Sequence, residues 1–282
     1  MSYFNYNGKI LLENELIIGP TNRGLRYGDG IFETIKLKNG ELILGNEHFA
    51  RLWKGMQMLQ FEIPKLFTPE KLEEEILHLA KKNKLSTARI RLTIIRGNGG
   101  IYDPKNHTPN YIIEAIKLPE DNGPLNINGL QICLFEDAVK SIDLFSNLKT
   151  NNYLPYFMGA IFAKKQQCND ALILNSKGNI CDTTIANIFY IKEETIYTPA
   201  LTEGCVAGVM RQWIIDNVGE FNFKVVKTAI TKEDLLMAEE VFLSNSIYNI
   251  RWVASFENKK YENKQIAKLS EILMRKRGNV YC

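Results

Sequence analysis

Hydrophobic and polar positions in the first part of the chain follow both strand and helix periods. Residues 88–95, ARIRLTII, alternate apolar and polar side chains, which predicts a strand with one buried face. Residues 30–37, GIFETIKL, predict another strand, paired with ELILG in a hairpin across the turn at residues 38–40. Apolar residues at helical spacing follow Asn46, which we expect to cap a helix. A proline at the first helical position predicts a second helix that opens at residues 68–70.

A cluster of proline, glycine, asparagine and aspartate in KLPEDNGPLNING breaks these periods and is the best candidate for a linker. We therefore expect an N-terminal small α/β domain at residues 1–118, a linker at 119–128, and a larger C-terminal α/β domain at 129–282. The strands predicted after the linker are residues 130–135, 170–175, 186–191, 194–199, 224–230 and 239–246. The helices predicted there are residues 154–167 and segments that begin at Gly208, at Thr231 and near Gln265. The order of elements lacks the regular alternation of a doubly wound fold, so the predicted fold class is mixed α/β (α+β).

The composition is that of an ordinary globular protein and narrows the range of partners. Hydrophobic residues make up 45% of the chain and charged residues 24%, and the net charge of +3 favours neither a nucleic-acid nor a membrane partner. The five cysteines are scattered without a C-x-x-C pair and the three histidines are dispersed, so we expect reduced thiols and no metal centre. Residues 1–10 lack the long apolar run of a signal peptide and no segment could span a bilayer, so we expect a soluble, cytoplasmic protein.

Three short segments carry groups that could bind an anion. His48 and Arg51 share a helix face, where the arginine could hold a phosphate, although most such pairs are solvated surface groups. GCVAGVMR should enter a helix whose first N–H groups could cradle a phosphate. A glycine-started helix is common, however, and the spacing is not that of a Walker motif. The hydroxyls of LSNS could bind phosphate or cap a turn. The groups concerned in these last two segments are the backbone of Gly208, Val209 and Met210 and the side chain of Ser246.

Two more segments hold residues suited to covalent or proton chemistry. In SNLKTNNYL, Lys149 lies among small polar side chains, and Tyr153 follows four residues later. A surface lysine does not need such neighbours, but a lysine that forms a covalent bond does. CDTTIANIF places Asp182 five residues before Asn187, and this carboxylate could cap a turn or face a ring nitrogen and keep it protonated. RGLRYGDGIFET, ahead of the first strand, packs three glycines and a tyrosine, which is typical of a glycine-rich turn.

In this order, the glycine turn, H-x-x-R, the lysine, acid-x4-Asn and G-x-x-x-G-x-x-R resemble the class IV (fold type IV) pyridoxal-phosphate enzymes. That family includes branched-chain aminotransferases, D-amino acid aminotransferases and aminodeoxychorismate lyases. The resemblance covers the chain from about Asn7 to its end. It implies a two-domain fold like that of D-amino acid aminotransferase, with pyridoxal 5'-phosphate between the domains, and a homodimer that acts on a small-molecule substrate.

The resemblance also implies a role for each motif residue. Lys149 matches the catalytic lysine that forms a Schiff base with the cofactor and then moves protons. Asp182 matches the acid that pairs with the protonated pyridine nitrogen, which makes the ring an electron sink. The family acid is usually glutamate, so the shorter aspartate should lie closer, act through water, or hold the nitrogen less firmly. The other implied cofactor-binding residues are Arg51, Val209, Met210 and Ser246 at the phosphate, together with Tyr153, Asn187 and Gly208.

The Arg-Gly-x-Gly-Gly segment after ARIRLTII and the LSNSIYNI segment resemble aminodeoxychorismate lyases, while the lack of an Arg-x-His trio counts against D-amino acid aminotransferase activity. We therefore expect a lyase that splits 4-amino-4-deoxychorismate into para-aminobenzoate and pyruvate, a step of folate synthesis. Its substrate carries two carboxylates and should meet Arg96, with Arg91 behind it, in a pocket lined by Tyr27 and Phe32. Arg91 could instead belong to a solvated strand face. An amino-acid aminotransferase of the branched-chain or D-amino acid type is the alternative, and a non-catalytic cofactor-binding relative is a third.

Overall fold

The computed structural model of the chain describes residues 2–119, 125–219 and 223–280. Contacts divide the chain into two compact units: unit 1 is Met1–Asn122 with Leu148–Asn152, and unit 2 is Gly123–Asn147 with Tyr153–Cys282. Residues 120–124 of the expected linker lie outside the described residues. The sequence places Lys149 in the C-terminal domain. By its contacts it belongs to unit 1 instead, because backbone hydrogen bonds join its segment to a strand of that unit.

Unit 1 is built on a six-stranded antiparallel sheet, with three helices among its described residues. Its strands are β1 (Tyr3–Tyr6), β2 (Lys9–Leu12), β3 (Gly30–Lys38), β4 (Glu41–Ile43), β5 (Ala88–Arg96) and β6 (Pro109–Lys117). Its helices are α1 (Arg23–Tyr27), α2 (Gly45–Met58) and α3 (Pro69–Lys82). The strand order is β2-β1-β6-β5-β3-β4, which confirms the predicted hairpin of β3 and β4 and sets β5 on the other side of β3.

The core of unit 1 lies on one face of this sheet, beneath α2 and α3. The apolar positions predicted from the alternation in β5 are fully buried, whereas Arg89 on the opposite face is exposed. They pack with apolar residues of the two helices, among them Leu52 and Met56 of α2 and Leu72 and Ile76 of α3. Burial of these side chains fixes the register of β5, since a slip by one residue would turn them all towards solvent.

One of the two helix starts predicted for this unit is confirmed. The Thr68 side chain accepts a hydrogen bond from the Lys71 N–H and caps α3, with proline in its first turn. The cap predicted for α2 is wrong, because the helix begins at Gly45 after Leu44 in a left-handed conformation. Asn46 therefore lies inside the first turn instead of capping it.

Unit 2 is built on a nine-stranded mixed sheet. Its strands are β7 (Leu130–Lys140), β8 (Asp170–Asn175), β9 (Ile180–Thr183), β10 (Asn187–Lys192), β11 (Thr195–Pro199), β12 (Lys224–Thr228), β13 (Glu240–Asn245), β14 (Asn249–Phe256) and β15 (Lys259–Lys260). Its helices are α4 (Leu154–Lys165), α5 (Val209–Val218), α6 (Lys232–Met237) and α7 (Lys264–Val280). The strand order is β12-β11-β10-β13-β14-β7-β8-β9, and β15 pairs with β14.

The sheet of unit 2 contains both parallel and antiparallel strand pairs, which confirms the mixed α/β prediction. β7 and β8 are parallel and α4 packs on both, while β9 folds back antiparallel to β8. The predicted helix starts at Gly208 and Thr231 are confirmed, and Thr231 forms a capping box with Asp234. Over the described ranges, no helix has the length and apolar character needed to cross a membrane.

Candidate active site

The segment that carries Lys149 lies beside the first half of β3. The Phe32 N–H donates to the Lys149 carbonyl and the Asn151 N–H donates to the Gly30 carbonyl, each over 2.9 Å. Gly30 occupies a point where a Cβ would collide with the β5 backbone and the Asn151 side chain, so only glycine lets the three segments approach this closely. The backbone of β3 therefore determines where the lysine side chain leaves the sheet.

The Lys149 side chain shares an aromatic ring with an arginine. Lys149 Nζ lies 4.5 Å from the ring centroid of Phe32, and Arg91 Cζ lies 3.9 Å from the same centroid. The Arg91 side chain is 34% exposed, and its Nε donates to the Thr93 hydroxyl over 3.3 Å. Unit 1 thus brings together three of the predicted residues, with an amine and a guanidinium that both contact one aromatic ring.

Arg51 lies against a buried carboxylate that the sequence analysis did not single out. Glu33 of β3 accepts hydrogen bonds from Arg51 Nε over 2.8 Å, from Arg51 Nη2, and from His48 Nδ1 over 2.6 Å. Burial by itself raises the pKa of Glu33, but the charge of Arg51 and the hydrogen bonds of both partners outweigh it and lower the pKa to about 2. An ionised carboxylate therefore holds the Arg51 guanidinium in one orientation.

His48 is buried in this cluster, so the alternative of a solvated surface pair with Arg51 is wrong. Burial lowers the pKa of His48, and the charges of Arg51 and Lys149 add to the lowering against the opposite effect of Glu33. Its Nε2 is buried without a hydrogen-bond partner in the part of the chain that the structure describes. A neutral imidazole with its proton on Nδ1 accounts for both observations, because Nδ1 then donates to Glu33.

The candidate acid of unit 2 is buried among four donors. Asp182 in β9 is 2% exposed. Its Oδ2 accepts hydrogen bonds from the Tyr156 hydroxyl over 2.7 Å, the Val206 N–H over 3.0 Å and Lys140 Nζ over 3.1 Å. Its Oδ1 accepts one from Asn187 Nδ2 over 2.9 Å. These partners come from β7, α4, β10 and the loop before α5, so Asp182 is not the local turn cap that was the alternative.

Asn187 joins this network to the start of α5. Its Nδ2 also donates to the Val206 carbonyl over 2.9 Å, and its Oδ1 lies where a Cβ on Gly208 would be. Gly208 is the N-cap of α5, and no described side chain caps this helix. The first turn, which contains Val209 and Met210, therefore directs backbone N–H groups and the positive end of the helix outward, as an anion site requires.

Tyr153 and Ser246 complete the set expected in unit 2. The Tyr153 hydroxyl donates to the Thr184 carbonyl over 3.1 Å, and its ring stacks on Tyr156 with centroids 4.4 Å apart. Ser246 follows β13, the strand that packs against α5, and is partly buried. Tyr153 precedes α4 and Ser246 lies in the turn after β13, and their expected contacts with a cofactor stay predictions.

Arg96 lies in a different setting from the one expected for a substrate residue. It is 6% exposed, and its Nε donates to the Asp29 carboxylate over 3.2 Å. The rest of the guanidinium is bonded to the carbonyls of Gln60 and Leu59 at the end of α2. This arrangement gives Arg96 a structural role within unit 1, because its hydrogen-bonding groups are directed at protein atoms. Arg91 is the better placed of the two arginines to meet a ligand.

The first glycine motif forms the short helix α1 and the start of β3, and the chain turns between them at Gly28. Gly28, with a φ of 63°, ends α1 in the left-handed region that glycine adopts readily. Tyr27 is the last residue of α1 and is 48% exposed, with Arg23 Cζ 5.0 Å from its ring centroid. Its expected place in a substrate pocket stays a prediction.

Three residues of these clusters were missed by sequence reasoning. Glu33 carries a signal, since it is a charged residue between Ile31 and Ile35 on the apolar face of β3. Tyr156 carries a weaker one, as a second tyrosine one helical turn after the first. Lys140 carries none, because a lysine at the end of a strand is ordinary.

Known proteins resemble the chain over most of its length. The model of the family described as "Amino-transferase class IV" matches residues 30–256. The "Putative branched-chain-amino-acid aminotransferase" of Methanocaldococcus jannaschii is 29% identical over 272 residues, which cover 96% of this chain and 93% of that protein. The aminodeoxychorismate lyase of Vibrio harveyi is 29% identical over 263 residues, which cover 92% and 94%. The branched-chain aminotransferase structure from Thermoproteus uzoniensis superposes with a TM-score of 0.86 at 22% identity, over 97% of this chain and 94% of that one.

Proposed function

The chain belongs to the class IV aminotransferase family, and within that family we propose that it is an aminodeoxychorismate lyase. The proposed reaction splits 4-amino-4-deoxychorismate into para-aminobenzoate and pyruvate and supplies folate synthesis. The observation that carries the proposal is the Phe32 ring with Lys149 and Arg91 both against it, because the substrate is a cyclic dicarboxylate that needs a carboxylate partner near the proton-transferring amine. The lyase-like segments after β5 and at the end of β13, and the similarity to the Vibrio harveyi enzyme, support the same choice.

The residues present fit pyridoxal 5'-phosphate, the cofactor of this family. The lack of a side chain at Gly208 leaves the first turn of α5 open, and Asp182 offers a buried carboxylate to a ring nitrogen. When bound, this cofactor supplies an electron-withdrawing ring that stabilises negative charge on the carbon next to the substrate amine. We assign the phosphate to Arg51, the Val209 and Met210 N–H groups and the Ser246 hydroxyl, the ring nitrogen to Asp182, and the ring edge to Tyr153.

Lys149 performs the covalent and proton steps in this proposal. Its amine would hold the cofactor, and when free it would remove the proton from the carbon that bears the substrate nitrogen. The same amine, or a group near it, returns a proton to the departing enol of pyruvate. Arg91 holds a substrate carboxylate and Phe32 packs on the substrate ring. Departure of pyruvate makes the product ring aromatic, a driving force that a transamination lacks.

Pyruvate release without a keto-acid acceptor tests this proposal. A lyase turns over 4-amino-4-deoxychorismate continuously under these conditions, whereas an aminotransferase stops once its cofactor has accepted the amino group. We expect continuous release that Lys149→Ala abolishes and that Lys165→Ala, at the exposed end of α4, leaves unchanged. Borohydride treatment of the same preparations should fix the cofactor on Lys149 in the parent protein. Continuous release that survives in Lys149→Ala would refute the assignment of the lysine.

An amino-acid aminotransferase is the second candidate, because the Methanocaldococcus jannaschii relative bears that name at the same identity as the lyase relative. It would use the same lysine and the same cofactor contacts. Turnover only when an amino acid and 2-oxoglutarate are both supplied would move the assignment to this activity. Cofactor binding without either activity would leave the non-catalytic relative.

The family resemblance also leads us to propose a cytoplasmic homodimer. Light scattering on the cofactor-loaded protein should then give about twice the chain mass of 32.3 kDa. An active species with the mass of a single chain would contradict this part of the proposal.

A further inference from the structure

Lys140 is a buried lysine that belongs to none of the sequence motifs. Its side chain is 10% exposed, and its Nζ lies 3.1 Å from Oδ2 of Asp182, whose side chain is 2% exposed. The ammonium also lies 5.3 Å from the ring centroid of Tyr156. A buried ammonium is strongly disfavoured unless a carboxylate pairs with it, so Lys140 and Asp182 depend on each other.

The donors around Asp182 are shared unequally between its two oxygens. Oδ2 accepts from Lys140, Tyr156 and Val206, whereas Oδ1 accepts only from Asn187 among the described residues. Each carboxylate oxygen has about two acceptor sites, so Oδ2 is saturated and Oδ1 retains capacity for one more donor. A ligand N–H that binds Asp182 therefore approaches Oδ1 while Lys140 stays on the other oxygen.

Other titratable groups face Asp182 from the elements packed around it. These groups are Tyr156 in α4, Cys181 in β9 and Cys205 before α5. Burial raises the pKa of each, and the charge of Asp182 raises it further, so all three stay neutral. Arg211 of α5 is a second buried cation, but it donates to the Pro199 carbonyl over 2.7 Å. Lys140 is thus the cation that is hydrogen-bonded to the carboxylate.

We propose that Lys140 is a positioning residue that fixes Asp182 through Oδ2 and offsets its charge, so that the cofactor's ring nitrogen holds its proton less firmly than it would against an unpaired aspartate. This inference rests on the proposed function, which assigns the ring nitrogen to Asp182. A cation close to a second protonated group disfavours its proton, and an oxygen already bonded to three donors carries less charge to share. The same contacts explain how aspartate can take a position where glutamate is usual, because Lys140 and Tyr156 hold the shorter side chain through its Oδ2.

Nitrogen-15 NMR of the protein loaded with ring-labelled pyridoxal 5'-phosphate tests this inference. The quantity measured is the pH midpoint at which the ring nitrogen loses its proton, in the parent protein, in Lys140→Met and in Lys140→Arg. We expect Lys140→Met to raise the midpoint by about one pH unit or more, because it removes the nearby positive charge. Lys140→Arg keeps the charge and should stay near the parent value. An unchanged midpoint in Lys140→Met overturns the inference.

If Lys140→Met does not fold, Lys140→Gln is used for the test, since it removes the charge and keeps a hydrogen-bond donor for Oδ2. The expected midpoint is again higher, and an unchanged midpoint overturns the inference. Failure of the cofactor assignment, the part of the proposed function on which this inference rests, is visible separately in the parent protein. In that case borohydride fixes no cofactor on Lys149, and both proposals fall together. A normally fixed cofactor with an unmoved midpoint refutes only the role of Lys140.

Discussion

Replacing Glu33 by glutamine removes the charge that holds Arg51 and leaves the size of the side chain almost unchanged. Glu33 is 1% exposed, and its pKa is about 2 in the folded protein against an ordinary value of 4.5. Each unit of such a shift is worth roughly 1.4 kcal/mol, so the ionised cluster contributes about 3 kcal/mol to the free energy of unfolding at neutral pH. We expect Glu33→Gln to lower that free energy by about this amount at pH 7.

The lowered pKa also determines the pH window of the effect. The contribution of Glu33 is fully present above its unfolded value of 4.5 and is lost as the pH falls towards about 2, because the unfolded chain takes up a proton that the folded state resists. The difference between the two proteins should therefore shrink below pH 4.5, by at most ~1.4 kcal/mol per pH unit. The lowered pKa of His48 destabilises both proteins as the pH falls below 6.5.

Urea unfolding followed by Trp53 fluorescence measures this difference in unit 1. Trp213 and Trp252, which lie in unit 2, are replaced by phenylalanine in both proteins so that the signal comes from Trp53 alone. Glu41→Gln, at an exposed glutamate of β4, is the matched control and should change stability little at any pH. A Glu33→Gln difference of the same size at about pH 7 and about pH 3 would refute the argument, since it would show that the ionised form of Glu33 contributes nothing.

Three further substitutions address the cofactor and the substrate. Asp182→Ala should lower turnover at least about hundredfold while the dialysed protein keeps its cofactor absorbance, because the phosphate contacts remain; complete loss of cofactor would give this residue a mainly structural role. Gly208→Ala should weaken cofactor binding about tenfold or more in a fluorescence titration, because a Cβ collides with the side chain that braces the loop. Gly219→Ala, where nothing lies within 4 Å of the added Cβ, is its control. Equal cofactor affinities of the Gly208→Ala and Gly219→Ala proteins would contradict the proposed phosphate site at the start of α5. Arg91→Gln should raise KM for the substrate by about 10- to 100-fold with less effect on kcat, whereas Arg89→Gln, on the same strand but exposed, should leave both unchanged.

Elements with a strong local signal are the ones that the sequence predicts correctly. The alternation in β5 and the helix starts at Thr68 and Thr231 depend on neighbours within a few positions, so a single sequence contains all the information they need. Asn46 is a favourable cap type, yet α2 starts before it because the Leu44 carbonyl accepts the hydrogen bond of the His48 N–H. Capping preference is worth only about 1 kcal/mol and yields to the packing of the helix on β3.

The residues proposed to carry the chemistry also divide into those with a local sequence signal and those without one. Lys149, Arg51 and Asp182 could be proposed because each lies in a short motif and the motifs follow one another in a familiar order. The partners that hold them could not, since Glu33 lies 18 positions from Arg51 and Lys140 lies 42 positions from Asp182. Only the packing of α2 on β3, and the positions of β7 and β9 on either side of β8, bring such residues together. The structural role of Arg96 was missed for the same reason, because its acceptors at the end of α2 are 36 and 37 positions away.

Each unit contains a buried ion pair in which one charged side chain supports the other, but the signs of the two charges are exchanged between the units. In unit 1 the buried carboxylate Glu33 is the support and the cation Arg51 is the group proposed to meet the cofactor, whereas in unit 2 the cation Lys140 is the support and the carboxylate Asp182 is the proposed partner. Buried ion pairs contribute little more to stability than apolar pairs of the same size, and they are costly when one member is lost. Stability alone therefore does not explain these two pairs. Orientation does, because a charged side chain that must face a ligand at a fixed angle needs an opposite charge behind it, and water cannot supply one in a buried site.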